Sequence, residues 1–280
     1  MKKKLLFGVP AVVAAGMTIG YQVVFSLPEQ PQLSTITNSD VELALRCYDN
    51  PAPVAIDDNG RLNILVWNIY KQNRSNWRRA LNKFSADKQL VLLQEASMGD
   101  ELKAWINQGK WNGNQVDAFK AFDKTAGVLN LAPQLPVEAC AYTELEPWIR
   151  LPKSALYATY QLSNGAQLAV VNIHAVNFTY GTKEYRRQLN TLTEALMQHP
   201  GPVIIAGDFN SWSKERLQVM RKTLEMIGVH EVSYLPDHRK QFINGLPLDH
   251  VFYKGLKFEK AEAPSTDASD HNPLMVQFSL

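Results

Sequence analysis

From residue 61 onward, apolar residues come in short runs separated by polar loops, with a few stretches of helical period. Leu62–Asn68 reads as a strand, and Leu90–Gln94, a continuous apolar run, as a strand buried on both faces. Gly127–Leu131, Ala155–Gln161, Leu168–Ile173, Val203–Ala206, His250–Tyr253 and Leu274–Phe278 are further strand candidates. Asn164-Gly165 predicts a tight hairpin between two of them. Helices are predicted at Trp77–Phe84, Glu184–Gln198 and Lys214–Ile227. Several strands follow one another with no helix between them, so a simple alternating β/α barrel fits poorly. An α/β sandwich of two packed sheets with helices outside fits better.

The N-terminal pattern differs. Residues 5–28 carry no charge and follow Lys2, Lys3 and Lys4. A membrane-spanning helix needs about 20 apolar residues, and this run just reaches that length despite Gly8, Pro10, Gly16, Gly20 and Gln22. A signal peptide cleaved near Val13-Ala14-Ala15 is the alternative, but apolar residues continue to Phe25; a buried soluble helix is the third reading. The preferred expectation is an uncleaved inner-membrane anchor. Its lysines stay in the cytoplasm, and the rest of the chain lies in the cell envelope outside it; a cytoplasmic protein is the alternative. Pro28, Pro31 and the Ser, Thr and Asn residues from Ser34 to Asp40 read as a linker, with breakers at Asn50-Pro51-Ala52-Pro53 and Asp57-Asp58-Asn59-Gly60. The expected organisation is an apolar segment at 1–27, a linker at 28–60 and a folded domain at 61–280.

Composition is ordinary for a globular chain, with 45% hydrophobic and 20% charged residues. The net charge of +2 comes from the first lysines: from residue 28 onward 26 Lys and Arg face 27 Asp and Glu. A basic face for nucleic acid is not apparent, and the clusters at Arg74/Arg78/Arg79, Arg186/Arg187 and Arg221/Lys222 read as solvated faces. Nucleic acid is neither supported nor excluded. Cys47 and Cys140 are too few for structural zinc. They are either two buried thiols or one disulfide, the latter only in an oxidising compartment.

Candidate chemistry sits at strand ends, where rigid scaffolds place functional groups. Asn68, Glu95 and His174 each follow an apolar run, Asp208 and Asn210 follow Val203–Gly207, and Asp270 and His271 precede the last strand. Singly, each reads as a turn or cap residue; together they form a set. The carboxylates and an amide are hard oxygen ligands for Mg²⁺, Mn²⁺ or Ca²⁺, and the two histidines can serve phosphate oxygens. No Walker loop or G-x-S-x-G elbow is present.

Trp67-Asn68, Leu93-Gln94-Glu95, Asn172-Ile173-His174, Gly207-Asp208-Phe209-Asn210, Leu248-Asp249-His250 and Ser269-Asp270-His271 occur in an order that resembles the endonuclease/exonuclease/phosphatase (DNase I-like) superfamily. More narrowly, residues 66–72 and 171–178 resemble its bacterial YafD-like branch. The resemblance implies a four-layer α/β sandwich and a metal-dependent phosphoester hydrolase using in-line attack by water. It makes Glu95, Asn68 and Asp270 the Mg²⁺ (or Mn²⁺) ligands, Asp208 the group that orients or deprotonates water, and Asn210 a holder of phosphate or water. It makes His174 and His271 donors to phosphoryl oxygens, with Asp249 fixing the His271 tautomer.

The pattern departs from the family in two places. Tyr185 stands three residues before Gln188, where many relatives carry Arg. A tyrosine near the leaving group is not placed by the motifs; Tyr142 and Tyr157 are candidates by position. Lys71 and Asn177 are weaker site candidates. His199, His230 and His238 show no ligand spacing, and His250 should face away from Asp249 by strand alternation. The expected protein is a monomer acting on a phosphoester. Nuclease and lipid or small-molecule phosphoesterase remain open, with a lean to the second. The alternative is a membrane-tethered binding protein that keeps the fold without activity.

Overall fold

The computed structural model describes residues 25–280 except 27, 29, 38, 39, 45, 122 and 123. The expected anchor at 5–27 therefore lies outside the described residues, apart from Phe25 and Ser26. Among the described residues no helix is long and apolar enough to cross a membrane.

In chain order the strands begin with β1 (Phe25–Ser26), β2 (Leu33–Thr37), β3 (Asp40–Ala44), β4 (Cys47–Asp49), β5 (Arg61–Asn68) and β6 (Leu90–Ser97). Then come β7 (Asn112–Ala121), β8 (Lys124–Ala132), β9 (Glu138–Leu145), β10 (Pro152–Gln161) and β11 (Gln167–His174). The last are β12 (Val203–Asp208), β13 (His230–Glu231), β14 (Asp249–Lys254), β15 (Lys257–Glu262) and β16 (Leu274–Ser279). The α-helices are α1 (Trp77–Ser85), α2 (Asp100–Gln108), α3 (Lys183–Met197) and α4 (Lys214–Glu225). One sheet runs β15-β16-β5-β6-β8-β7-β2-β3, with β1 added on β7; the other runs β13-β14-β12-β11-β10-β9-β4. Both are mixed: β5 with β6 and β11 with β12 are parallel, and every other pairing is antiparallel.

Period-2 alternation sorts the side chains into layers. On β5, Leu62, Ile64 and Val66 enter the core between the sheets, while Leu65 and Trp67 pack outward against Trp77, Leu81 and Phe84 of α1. Those three lie at helical spacing, which makes α1 amphipathic. On β11, Leu168 and Val170 face inward, and Val171 and Ile173 face Tyr185, Leu189 and Leu192 of α3. The result is the expected α/β/β/α sandwich. Each large apolar side chain so buried contributes about 1.5–3 kcal/mol.

The inner layer is not wholly apolar. Asn172 projects between the sheets, accepts from Gln94 Nε2 at 2.7 Å, and donates to Asn130 Oδ1 at 2.9 Å and to the carbonyls of Leu93 and Leu129. Gln94, Asn130 and Asn172 are fully buried.

The expected linker at 28–60 is corrected in part. β2 and β3 extend the first sheet, and Leu33 is a core residue. The Ser/Thr-rich composition conceals a strand because β-branched Thr35, Ile36 and Thr37 suit one, and buried Thr35 accepts from Asn114 Nδ2 at 3.0 Å. Cys47 and Cys140 are joined in a disulfide between β4 and β9. The 164–165 hairpin is present, with Gly165 at φ +85°.

Replacing Asn172 with Ala leaves the Gln94 amide and two carbonyls without this partner. Urea denaturation is expected to show a loss of about 2–4 kcal/mol. A loss within the noise of the measurement would mean that the sheets do not depend on this bridge.

Candidate active site

Strand direction gathers the functional side chains. β5 and β6 end at the same edge of their sheet, as do β11 and β12 of theirs. The antiparallel partners β14 and β16 begin at those edges. In register, His174 is level with Asp208, and Asp208 with Asp249. Three of the expected residues thus stand in one row across adjacent strands. Gly207 permits this close pairing: it sits at φ +139°, and a Cβ there would lie 2.0 Å from the Ile173 carbonyl oxygen.

From the facing sheet, Asn68 Nδ2 donates to Asp208 Oδ2 at 3.1 Å. Glu95 enters by a backbone device: β6 has a register irregularity between Leu93 and Ala96, with Glu95 at φ +52°. A bulge of this kind re-aims a side chain, and Glu95 Oε1 comes 3.9 Å from His174 Nε2. Asn210, at φ +46°, donates its amide N–H to Asp208 Oδ1 at 2.9 Å and its side chain to the Ala175 carbonyl. His271 Nδ1 pairs with Asp249 Oδ2 at 2.8 Å, and His271 Nε2 lies 3.9 Å from Asp208 Oδ2. Asp270 is exposed; it accepts from Ser269 Oγ at 3.5 Å, and its charge acts on His271.

The protonation states diverge. Burial alone would push His271 down, but the carboxylate of Asp249, with Asp208 and Asp270, raises it to about 10, so it is an imidazolium at neutral pH. His174 moves well below the usual imidazole range through burial and the nearby cations Lys153, His271 and Lys71. Burial pushes Asp208 above the usual carboxylate range, with Asp249 adding to the shift and His271 opposing it. Burial would also raise Glu95, but Lys71, Lys153 and His271 outweigh it and hold the carboxylate low.

Two lysines complete the site. Lys71, a weak candidate from sequence, is hydrogen-bonded to Glu95 Oε2 from a left-handed turn at Tyr70–Gln72. Lys153 lies outside the sequence-predicted set. It sits near the start of β10 with Nζ 3.0 Å from His174 Nε2, and nothing in its neighbours Pro152 and Ser154 marks it. Both lysines, with Glu95, His174, Asn177 and Phe178, line a cleft of about 270 Å³. Tyr142 and Tyr157 do not enter it: they pack with the apolar cluster under α3 and α4.

The departure at Tyr185 also finds its structural counterpart. Arg216 of α4, 1% exposed, stacks over the Tyr185 ring at 4.0 Å. It donates to the carbonyls of Asn210 and Val176 and to Thr179 Oγ1. Gln188 accepts from Val176 N–H and donates to the His174 carbonyl. The loops after His174 and Asp208 are thereby fixed. His250 is structural, buried between Glu231 Oε1 at 2.6 Å and Ser211 Oγ at 2.8 Å.

The donor chemistry fits a hard divalent cation. Glu95 offers a partly exposed carboxylate that already holds the Lys71 ammonium, and Asn68, level with Gln94 on the neighbouring strand, supplies an amide whose oxygen accepts from the Tyr70 N–H. Asp208, Asp249 and His271 place ligand atoms within 4.8 Å of one another. That tighter group is better read as a proton-handling cluster, because a doubly protonated His271 has no lone pair for a metal.

A four-layer sandwich with acids, amides and histidines at one edge of both sheets defines a class. Residues 65–271 match the Endonuclease/Exonuclease/phosphatase family, and the chain belongs to it. It is 57% identical over 280 residues to a UPF0294 protein of Vibrio vulnificus strain YJ016, covering 100% of this chain and 99% of the relative. Among solved structures, an endonuclease/exonuclease/phosphatase from Bacteroides vulgatus superposes with TM-score 0.62 at 15% identity, over 79% of this chain and 99% of that one. A mannosyl-6-phosphatase from Bacteroides thetaiotaomicron gives 0.60 at 15%, over 78% and 100%.

Two outcomes follow from the charge geometry. Replacing Lys153 with Met should move the His174 titration upward in proton NMR; an unmoved midpoint would remove Lys153 as a cause and leave the shift to burial, His271 and Lys71. Burial would raise Glu231, but His250, Arg221 and Arg239 hold it at about 2. Its contribution is therefore complete above its ordinary value of 4.5 and lost as pH falls through about 2. Urea denaturation of Glu231→Gln should show a deficit on the order of 3 kcal/mol at neutral pH that closes in acid. A deficit that does not change with pH would refute the electrostatic origin.

Proposed function

We propose that the protein is a divalent-metal-dependent phosphoester hydrolase in which an activated water attacks phosphorus in line. The observation that carries this reading is the row His174–Asp208–Asp249, with cationic His271 bonded to Asp249 and with Asn68 and Glu95 facing it across the sandwich. A relative that kept only the fold would be free to lose Glu95, Asp208 or His271, and all three are in place, which favours catalysis over a binding role. Family membership and the phosphatase named among the structural neighbours support the same class.

Each residue has a task that follows from its state. Asp208, a carboxylate raised by burial, orients the water and takes its proton as the oxygen–phosphorus bond forms. Asn68 and the Asn210 amide hold that carboxylate in place. His271, protonated and fixed through Nδ1, presents Nε2–H to a phosphoryl oxygen. The ammonium groups of Lys71 and Lys153 lie along the cleft, where negative charge develops as the ester bond breaks. The alcohol leaves with a proton drawn from these donors. Glu95 and Asn68, joined by Asp270, would hold Mg²⁺ or Mn²⁺. When bound, the metal neutralises phosphoryl charge, worth several kcal/mol of barrier as an order of magnitude.

The proposal includes the setting: the apolar run that precedes β1, residues 5–24, anchors a monomeric domain in the inner membrane, facing outward. The Cys47–Cys140 disulfide supports an oxidising compartment.

The test is hydrolysis of bis-p-nitrophenyl phosphate with Mg²⁺, Mn²⁺ or EDTA. EDTA should abolish turnover, Glu95→Gln should raise the metal concentration required, and His271→Ala should lower kcat by about 10²–10⁴-fold. Activity should persist through neutrality and fall as pH rises toward about 10, where His271 loses its proton. Asp249→Asn should move that fall to lower pH. Full turnover by His271→Ala would sink the assignment.

A further inference from the structure

The loops around the cleft turn large apolar side chains outward. Trp148 is 51% exposed, Phe178 46%, Tyr180 77% and Ile243 96%. They form one rim. Trp148 and Tyr180 stack with centroids 4.4 Å apart, and Phe178 lines the cleft beside His174. Trp212 donates to Asn177 Oδ1 at 2.8 Å and packs against Phe242, the neighbour of Ile243.

This exposure is not the slack of a loose loop. Buried Glu146 accepts from the backbone N–H of Asn177 and Phe178. Gln188 binds Val176, and Arg216 binds Val176 and Thr179. A segment held this firmly by buried polar groups still leaves the rings of Phe178 and Tyr180 open to solvent. Contiguous exposed apolar surface of this kind marks an interaction face.

The direction of the chain identifies the occupant. β1 pairs Phe25 with Ala121 and Ser26 with Lys120 on β7. Ala118 and Phe119 of the same strand, and Ala126 of β8, line the cleft. The uncharged run of residues 5–24 therefore joins the domain at its active-site end. A run of that composition held in a bilayer would bring this end of the sandwich to the membrane surface. The rim suits that surface: Trp and Tyr favour the interface and Ile the acyl region, while Arg150 and Lys183 are exposed next to it in sequence. Single-stranded nucleic acid would instead call for stacking rings along a basic groove. Ile243 cannot stack on bases, and the body is charge-balanced.

We propose that the rim formed by Trp148, Phe178, Tyr180 and Ile243 docks on a lipid bilayer, and that the phosphoester hydrolysed is carried by a phospholipid of that surface. The substrate half rests on the hydrolase reading above; the docking half does not. In the reaction, water adds to phosphorus and gives a proton to Asp208, one phosphorus–oxygen ester bond breaks, and the lipid-side or headgroup-side alcohol leaves with a proton from the cationic donors of the cleft.

The test uses the full chain reconstituted into vesicles of phosphatidylethanolamine and phosphatidylglycerol. Tyr180→Cys, Ile243→Cys and, at the far hairpin, Asn164→Cys each carry a nitrobenzoxadiazole label. Emission at 180 and 243 should shift to the blue and be quenched by brominated lipid, while 164 stays as in water. Equal, water-like emission at all three positions would overturn docking, as would a shift at 180 induced by single-stranded DNA and not by vesicles. In the unlabelled chain, the combined Trp148→Ser, Tyr180→Ser and Ile243→Ser variant should lose about tenfold or more of phospholipid turnover. It should keep its bis-p-nitrophenyl phosphate turnover. Equal loss on both substrates, or no phospholipid turnover by the wild type, would overturn the lipid assignment. Absence of turnover on the soluble ester by the wild type would instead indict the hydrolase reading and leave the fluorescence result standing.

Discussion

Two sheets packed through apolar side chains could slide against each other at little expense, because dispersion and the hydrophobic effect are not directional. The amide cluster of Gln94, Asn130 and Asn172 removes that freedom. Each amide is fully buried, and leaving one without its partner costs about 1–3 kcal/mol, so the sheets are held where Gln94 meets Asn172 at 2.7 Å. Gln94 is the residue before Glu95, and Asn172 lies two residues before His174 on the same strand. Fixing the amides fixes the separation of the groups above them, and Glu95 stands 3.9 Å from His174 across the sandwich.

Above this floor, regular strand geometry is set aside in favour of aim. Glu95 and Asn210 both occupy the left-handed region, as do Tyr70, Lys71 and Gln72. Such conformations cost about 1–3 kcal/mol each in residues other than glycine. They are held by specific bonds: Asn210 N–H to Asp208 Oδ1, Ser97 N–H to Gln72 Oε1, and the Lys71 ammonium to Glu95. The site is then a mosaic of opposite charges in a partly dry cleft. His271 is cationic, His174 is held well below the usual imidazole range by burial and by the cations around it, and Asp208 is made more basic by burial. Both histidines lie near carboxylates, but His271 is bonded to Asp249 at 2.8 Å, whereas burial and the Lys153 ammonium 3.0 Å away carry His174 in the opposite direction.

Support for the site comes from residues that never touch it. Arg216 stacks on Tyr185 and ties together the loops that leave β11 and β12. Glu146 and Gln188 bind the same loop from below. Because these loops are rigid, the apolar side chains at their tips stay outward, and the cleft has a defined rim.

Much of this was legible in the chain. Strand and helix periods placed β5, β6, β10, β11, β12, β14, β16 and helices α1, α3 and α4, because those segments bury one face or both and their composition records it. The ordered motifs from Asn68 to His271 named the candidate site, since polar residues at strand ends have few other reasons to recur. β2 and β7 were not legible: their polar residues, Thr35, Asn114 and Gln115, find partners across strands that a single sequence does not reveal. Lys153 was invisible for the same reason, lying in β10 with nothing local to mark it. The bulge at Glu95, the protonation of the two histidines, the guanidinium of Arg216 over Tyr185 and the alignment of β1 with the cleft were decided by tertiary structure alone. Each depends on which groups meet across many residues of chain, and electrostatics and packing act on distance in space rather than along the sequence.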